Sequence, residues 1–454
     1  MELDVSAPKV IPDGNESTKG DKPFASPQIP RTREAFPLRI VRKRLIRGLK
    51  LGLDTLLPKA ILITLVLAIC GVLVYRMSWP FLAAWITRNG IATPDIYERA
   101  IRYDAKNAEY HFVLGKIYNY STQYLNLSRA GEEYEAAVGL NPDRAAYWLE
   151  LSKYYEQTRN VERSRYAMQM ALRTDPNYAQ THWAAANLYI RMDDLKAADL
   201  ELRRTADLDT SYLTKVLDLA WRFYEDPHKI MSTYVPNTME ANRLALDYFV
   251  SRESEEGASL AWNRLKMFDT KPQEHFGYIN YLVSLNKPHE AWQVFRNGQN
   301  PSASLLYNGS FETEPLNGGF DWRFSSTEAA EARRDTTTSK DGRASFLVAF
   351  KGNENVNYAR VWHWLPVHKG RSYELTFWMK TEGITTNEGI FVEVDGKSSE
   401  KQVGSTHWQQ FTIPFKATSD LVTVSLRRVP SKKFDNLFAG KVWLDAFSLA
   451  EVGQ

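Results

Sequence analysis

Two short stretches carry the side chains best suited to chemistry. In Arg360-Val-Trp-His-Trp-Leu365, strand alternation puts Trp362 and Trp364 on one face and Val361, His363 and Leu365 on the other, so one of these faces is core. In Tyr373-Glu-Leu-Thr-Phe-Trp-Met-Lys380, the face with Tyr373, Leu375, Phe377 and Met379 reads as buried, which turns Glu374, Thr376, Trp378 and Lys380 outward. Exposed indole faces flanked by polar groups suit a sugar, whose C–H patches stack on the ring while planar polar groups bond its hydroxyls. Trp378 is the leading platform, with Trp362, Trp364 and Trp322 as further candidates; Trp408 and Trp443 are assigned to structure. Core packing is the competing use of each ring, because large aromatics dominate sandwich cores.

Nothing comparable points to catalysis. Glu312 with Glu314, and Glu331 with Asp335, are paired carboxylates, but 54 acidic residues make such pairs inevitable. No glycine-rich phosphate loop, nucleophile elbow or His-Glu-x-x-His motif accompanies them, and His363 and His368 stand isolated in the sequence. The expectation is a protein that is not an enzyme. A glycan hydrolase remains the rival reading and needs two carboxylates about 5 to 9.5 Å apart in one groove. The single cysteine, Cys70, excludes an internal disulfide or a cysteine metal cluster, and a net charge of +3 argues against a nucleic-acid partner.

The elements that position these residues follow two grammars. Trp148-x-x-Leu151-Ser152-x-x-Tyr155, then Ser164, Met168, Ala171 and Pro176, is echoed upstream by His111, Leu114, Gly115, Tyr118, Ala130, Tyr134, Ala137 and Pro142. Downstream the same order returns as His182, Ala185, Ala186, Tyr189, Ala198 and Leu202, offset by 34 residues from the central copy. This string resembles the tetratricopeptide (TPR) repeat, a helical hairpin whose small residues permit close approach and whose large ones fill the groove between neighbours. A half-unit around Thr93, Tyr97 and Ala100 opens the array, and degenerate helices continue through 240–268 and 273–295. The resemblance implies an all-α solenoid over 90–300 with a concave face for a protein ligand. Lys116, Asn119, Lys153, Glu156 and Asn187 are its polar candidates.

Near Asn300-Pro301 the period changes from 3.6 to 2, with turn signals at Asn317-Gly-Gly, Asp341-Gly, Lys369-Gly and Asp395-Gly. The motif order is Asn308-Gly-Ser-Phe-Glu312, Trp322, Val367-His-Lys-Gly370 leading into the strand ending at Lys380, His407-Trp408-x-x-Phe411, and Val442-Trp-Leu-Asp445-Ala-Phe-Ser-Leu449. It resembles carbohydrate-binding modules of the galactose-binding-like, jelly-roll type, over 303–454. That resemblance implies an all-β sandwich, a polysaccharide ligand, and a structural calcium held by Glu312 and Asp445; no other cofactor is required.

At the N-terminal side, Ala60 to Tyr75 runs without a charge, about 24 Å of helix. Continuation through Trp79-Pro80-Phe81 gives one transmembrane helix over 59–86, a retained signal anchor rather than a cleaved leader. Arg31, Arg33, Arg39, Arg42, Lys43, Arg44, Arg47, Lys50 and Lys59 precede the span, and only Arg76 and Arg88 lie close behind its start, so the N-terminus is expected in the cytoplasm. Residues 1–35 have the composition of a disordered tail, and the basic, apolar mixture at 36–58 suits an anionic leaflet as well as a plain topology signal. The bulk of the chain is then periplasmic or extracellular at a plasma or inner membrane; sequons at Asn119, Asn126 and Asn308 keep a lumenal location open. The whole reads as a multidomain, membrane-anchored scaffold that docks a protein and binds a glycan, an arrangement resembling accessory proteins of exopolysaccharide or envelope-glycan assembly. A pure protein-interaction scaffold, with the β domain only capping the solenoid, is the alternative.

Overall fold

The structure is a computed structural model, and it describes residues 56–297, 304–434 and 436–453. The tail at 1–35 and nearly all of the basic segment at 36–58 lie outside those residues.

The first element, α1 (Leu56–Asn89), is 34 residues long and contains Pro80. Its stretch Lys59–Arg88 is long and apolar enough to cross a membrane. Two of its hydroxyls are satisfied locally: Thr64 Oγ1 donates to the Ala60 carbonyl at 2.9 Å, and Ser78 Oγ to that of Tyr75 at 2.7 Å, back-bonding that spares those donors exposure on an apolar helix.

A second unit begins after it. α2 (Pro94–Tyr103) is the single helix of the opening half-repeat. Three hairpins follow: α3 (Ala108–Tyr120) with α4 (Leu127–Leu140), α5 (Ala145–Gln157) with α6 (Val161–Thr174), and α7 (Ala179–Arg191) with α8 (Leu195–Leu208). The signature residues are the core, with Leu114, Tyr134, Met168, Ala171, Ala185 and Ala198 all buried. Gly115 earns its place by distance, since a Cβ there would stand 2.8 Å from the Tyr134 ring.

Periodic hydrogen bonds explain why the first signature position tolerates both Trp and His. Trp148 Nε1 donates to the Pro142 carbonyl at 2.7 Å, and Nε2 of His182 and of His111 meets the carbonyls of Pro176 and Ala105 at 2.9 and 3.4 Å. In each case a ring nitrogen reaches back six residues to hold the preceding turn. Each second helix starts on an equivalent cap: Asn126, Asn160 and Asp194 accept the amides of Arg129, Arg163 and Ala197 at 3.1, 3.3 and 3.1 Å.

The array continues through α9 (Leu213–Tyr224), α10 (Pro227–Thr233), α11 (Met239–Ser251) and α12 (Glu255–Leu265) to the last pair, α13 (Phe276–Ser284) and α14 (Pro288–Phe295).

The remainder is a β-sandwich of two five-stranded antiparallel sheets. One has the order β1 (Arg323–Phe324), β4 (Tyr358–Pro366), β9 (Leu421–Arg428), β6 (Phe391–Val394), β7 (Lys397–Ser398). The other runs β2 (Ala330–Asp335), β3 (Ser345–Lys351), β10 (Ala439–Glu451), β5 (Ser372–Ile384), β8 (Gly404–Lys416). Their inner faces share one apolar core.

Sandwich and solenoid also share a core. Phe320, 0% exposed, sits with its ring 5.2 Å from Trp292 and 5.9 Å from Phe295 of α14, and 5.8 Å from Trp364 of β4. Tyr307 meets Phe295 edge-on at 5.1 Å. The turn before Phe320 must be glycine: Gly319 has φ +57°, and a Cβ on it would lie 2.7 Å from Phe295 and 2.8 Å from Phe276. The β domain thereby covers the apolar end that the last hairpin would otherwise expose. Phe320→Ala should cost about 3–5 kcal/mol, read by denaturant unfolding of the full chain, because its cavity is walled from both domains and cannot collapse; a cost under about 1 kcal/mol would show that the two cores are not coupled.

Candidate functional site

The alternation read for β4 and β5 holds in position. Val361, His363 and Leu365 are buried, as are Tyr373, Leu375, Phe377 and Met379, which leaves Trp362, Trp364 and Trp378 on outer faces. The four candidate tryptophans do not form one platform. Trp362 and Trp364 share the outer face of the β1-β4-β9-β6-β7 sheet, whereas Trp378 lies on the outer face of the opposite sheet. Trp322, 1% exposed, is a core residue, which corrects its reading as a sugar platform: its Nε1 donates to the Asn308 carbonyl at 3.2 Å, and its ring packs 4.7 Å from Phe447.

The three outward rings differ in what already covers them. The ammonium of Lys340 lies 4.0 Å over the Trp378 ring, and the segment bearing it is fastened because the Lys340 and Asp341 amides donate to Asp445 Oδ2 at 2.7 and 3.0 Å. The face that Trp378 was expected to offer is thus taken from within the chain. Trp364 belongs to the junction through Phe320, and the Arg323 guanidinium stands 3.8 Å from its ring. Trp362 is half-buried beside Trp364, at 5.6 Å between centroids, and the same Arg323 guanidinium stands 4.6 Å from its ring.

Trp362 heads a polar row. Cross-strand register places Arg323, Trp362, Ser425, Glu393 and Ser398 side by side across all five strands. Arg323 is fixed from two sides, its Nη2 donating to the Gly319 carbonyl at 3.1 Å and to Asn280 Oδ1 of α13 at 3.4 Å. One step along, Arg427 stands opposite Phe391, 4.0 Å from the Glu393 carboxylate, with a buried Nε that has no hydrogen-bond partner. The sheet face therefore combines one half-exposed indole with hydroxyl, carboxylate and guanidinium groups. Sequence reading missed Arg323, Ser425, Glu393 and Arg427, because only cross-strand register brings them to Trp362.

Glu312 and Asp445 do converge on one turn. Glu312 Oε1 accepts the amides of Arg343 and Ala344 at 2.8 and 3.2 Å, and Asp445 accepts those of Lys340, Asp341 and Ala446, while burial pushes its carboxyl up. These oxygens face N–H donors rather than one another. The pair clasps the turn by hydrogen bonds and does not fit a calcium cradle. Trp443 is structural as expected, its Nε1 donating to Asp335 Oδ2 at 2.7 Å.

In the helical region, Lys116 and Lys153 are exposed and line one groove of about 570 Å³ with Phe112, Arg144, Leu149 and Tyr178. Lys153 Nζ bonds Glu150 at 2.6 Å, and Tyr120 donates to the same carboxylate at 2.8 Å. Glu156 is engaged by the Arg191 guanidinium, with Nη2 at 2.8 Å, and Asn187 Nδ2 donates to the Trp183 carbonyl at 2.7 Å. Asn119 is only 4% exposed, which corrects its reading as a ligand contact: it lies on the buried side of α3 with Leu114, Gly115 and Tyr118.

No family model matches the chain, and no curated protein does. Solved structures to which it is similar include YrrB, described as a TPR protein with an unusual peptide-binding site, at 15% identity over 38% of this chain and 92% of that one, TM-score 0.27. MamA protein is similar at 16% identity over 40% of this chain and 96% of that one, TM-score 0.30. A carbohydrate-binding module, TmCBM61 in complex with β-1,4-galactotriose, is similar at 14% identity over 33% of this chain and all (100%) of that one, TM-score 0.24. TPR proteins and carbohydrate-binding modules are thus among the neighbours, and at these scores neither likeness names a family or ligand for this chain.

His363, fully buried behind Trp362, ties the face to pH. Its Nε2 lies 3.2 Å from the Tyr307 carbonyl, and burial pushes its pKa down from 6.5 to about 4. The unfolded chain takes up the proton first, so this contribution is complete above pH 6.5 and is lost as pH falls toward 4, by up to about 3 kcal/mol. Unfolding free energies of the wild type and His363→Gln, measured across pH 7 to 4, should converge or cross by roughly that amount; parallel curves would mean the imidazole is not held neutral.

Proposed function

We propose that this chain is a membrane-anchored, non-catalytic scaffold that docks a protein in its repeat groove and binds a glycan on the outer face of the β1-β4-β9-β6-β7 sheet. The observation that carries the glycan reading is the row Arg323, Trp362, Ser425, Glu393, in which a half-exposed indole is flanked in register by groups able to bond sugar hydroxyls. This is the equipment of a jelly-roll-type carbohydrate module, assembled around Trp362 instead of the sequence's first choice, Trp378.

The protein-docking half rests on the groove around Phe112, Lys116, Leu149 and Lys153, where apolar side chains and exposed cations lie together. The anchor reading rests on Lys59–Arg88, and the excess of Lys and Arg before it supports a cytoplasmic N-terminus with both folded domains across the membrane. Tethering converts weak contacts into intramolecular ones, so neither the groove nor the sugar face needs high affinity alone. Service in exopolysaccharide or envelope-glycan assembly is the narrower form of the proposal and draws on this architecture.

The second reading, a sandwich that only caps the solenoid, is favoured by the junction around Phe320 and by Trp364's use there. Polysaccharide retardation by the full chain in detergent, run against a panel of bacterial and plant glycans, separates the two. Trp362→Ala should weaken binding about 10- to 30-fold, the worth of a roughly 2 kcal/mol aromatic anchor, while Trp378→Ala should leave it within about threefold. Binding lost only in Trp378→Ala would move the site to the other sheet, and a folded chain that binds no glycan would leave the capping role.

A further inference from the structure

A second constellation lies at the junction, away from the sugar face. His289 is in the first turn of α14, His368 in the loop that follows β4, and Asp420 in the turn that enters β9. One ligand atom from each lies within 4.8 Å of the other two, and the imidazoles stack with centroids 4.4 Å apart. Sequence reading left His368 isolated and did not single out His289, because 79 positions separate the two, 289 to 368.

Two features argue that the cluster is built to hold something. First, His289 Nε2 is a buried nitrogen with no hydrogen-bond partner, and an imidazole nitrogen left bare in this way can present its lone pair to a cation. Second, the Asp420 carboxylate is oriented by a main-chain donor, the Lys369 amide donating to its Oδ1 at 2.8 Å, as a metal's outer shell orients a ligating carboxylate, and the main chain at His368 is held by its amide donating to the Tyr373 hydroxyl at 2.9 Å.

We propose that His289, His368 and Asp420 form a three-ligand site for a divalent transition metal, zinc by the chemistry of its donors, clasping the last repeat helix to the sandwich. Two imidazoles and one carboxylate suit zinc, whereas calcium and magnesium prefer all-oxygen sets. A tetrahedral ion draws its ligand atoms to roughly 3.4 Å separation, with water in the fourth position. The part that closes the remaining distance is the exposed His368 ring; His289 and Asp420 are each half-buried. The ion adds a coordinate link to an interface already held by Phe320, so its loss should loosen the junction without unfolding either domain.

The test uses the full chain in detergent, without a histidine tag and stripped with chelator. Zinc titration should show one ion per chain and a rise in Tm of roughly 5 °C at hundredfold excess over its dissociation constant, with calcium and magnesium giving neither. Cobalt in place of zinc should give the visible bands of a four-coordinate nitrogen- and oxygen-ligated ion. His368→Gln, at an exposed loop position that tolerates change, should weaken zinc binding at least tenfold and abolish the Tm rise, and His289→Gln should do the same. Asp420→Asn should weaken binding while keeping the Lys369 amide bond. The proposal is overturned if the wild type binds no zinc, or if the His289→Gln, His368→Gln double variant binds it as tightly; the latter result assigns the ion to other histidines.

Discussion

Phe320 and the rings around it are the contact on which the rest of this molecule depends. A solenoid hairpin leaves one apolar face for a successor, and among the described residues α14 is followed by the strands of the sandwich. Trp292 and Phe295 of α14 instead bury against Phe320, Tyr307 and Trp364. Each fully buried aromatic is worth about 1.5–3 kcal/mol in transfer terms alone, enough to make sandwich and array one body. Gly318 and Gly319 are the steric condition for that approach, since side chains there would meet Phe276 and Phe295.

The junction also decides which residues are left for binding. It draws Trp364 into the contact with Phe320, holds Arg323 through Asn280 and Gly319, and places Trp362, half-exposed and 4.6 Å from the Arg323 guanidinium, in the polar row. The same packing carries the N-terminal turn of α14 to the β4–β5 loop, where His289 meets His368. The proposed glycan face and the proposed metal clasp both lie beside this one apolar contact. On the opposite sheet, Glu312 and Asp445 hold the turn that carries Lys340, and Lys340 covers Trp378.

Periodic features were legible in the sequence and long-range ones were not. The 34-residue signature located the repeat hairpins and their core, because each signature residue packs within its own hairpin or against the next one. Alternation assigned the inner face of β5 and separated the two faces of β4, leaving open which of the two is core, and the structure buries the Val361, His363 and Leu365 face. The surroundings of the tryptophans were not legible, for a different reason. Whether Trp378 is open depends on Lys340, 38 positions earlier (378 − 340), and whether Trp322 is open depends on Phe447, farther still. Arg323, Glu393 and Ser425 became site residues only through strand pairing. Asn119 occupied the expected groove-facing repeat position, yet hairpin packing buried it.

The central claim is that a glycan is read on the sheet containing Trp362. Hydrogen exchange of the full chain, with and without a retarding polysaccharide, tests it most directly. The account predicts slowed exchange over 360–366 and 421–428, with 372–384 unchanged. Protection confined to 372–384, or a ligand that slows no sandwich amide at all, would contradict it.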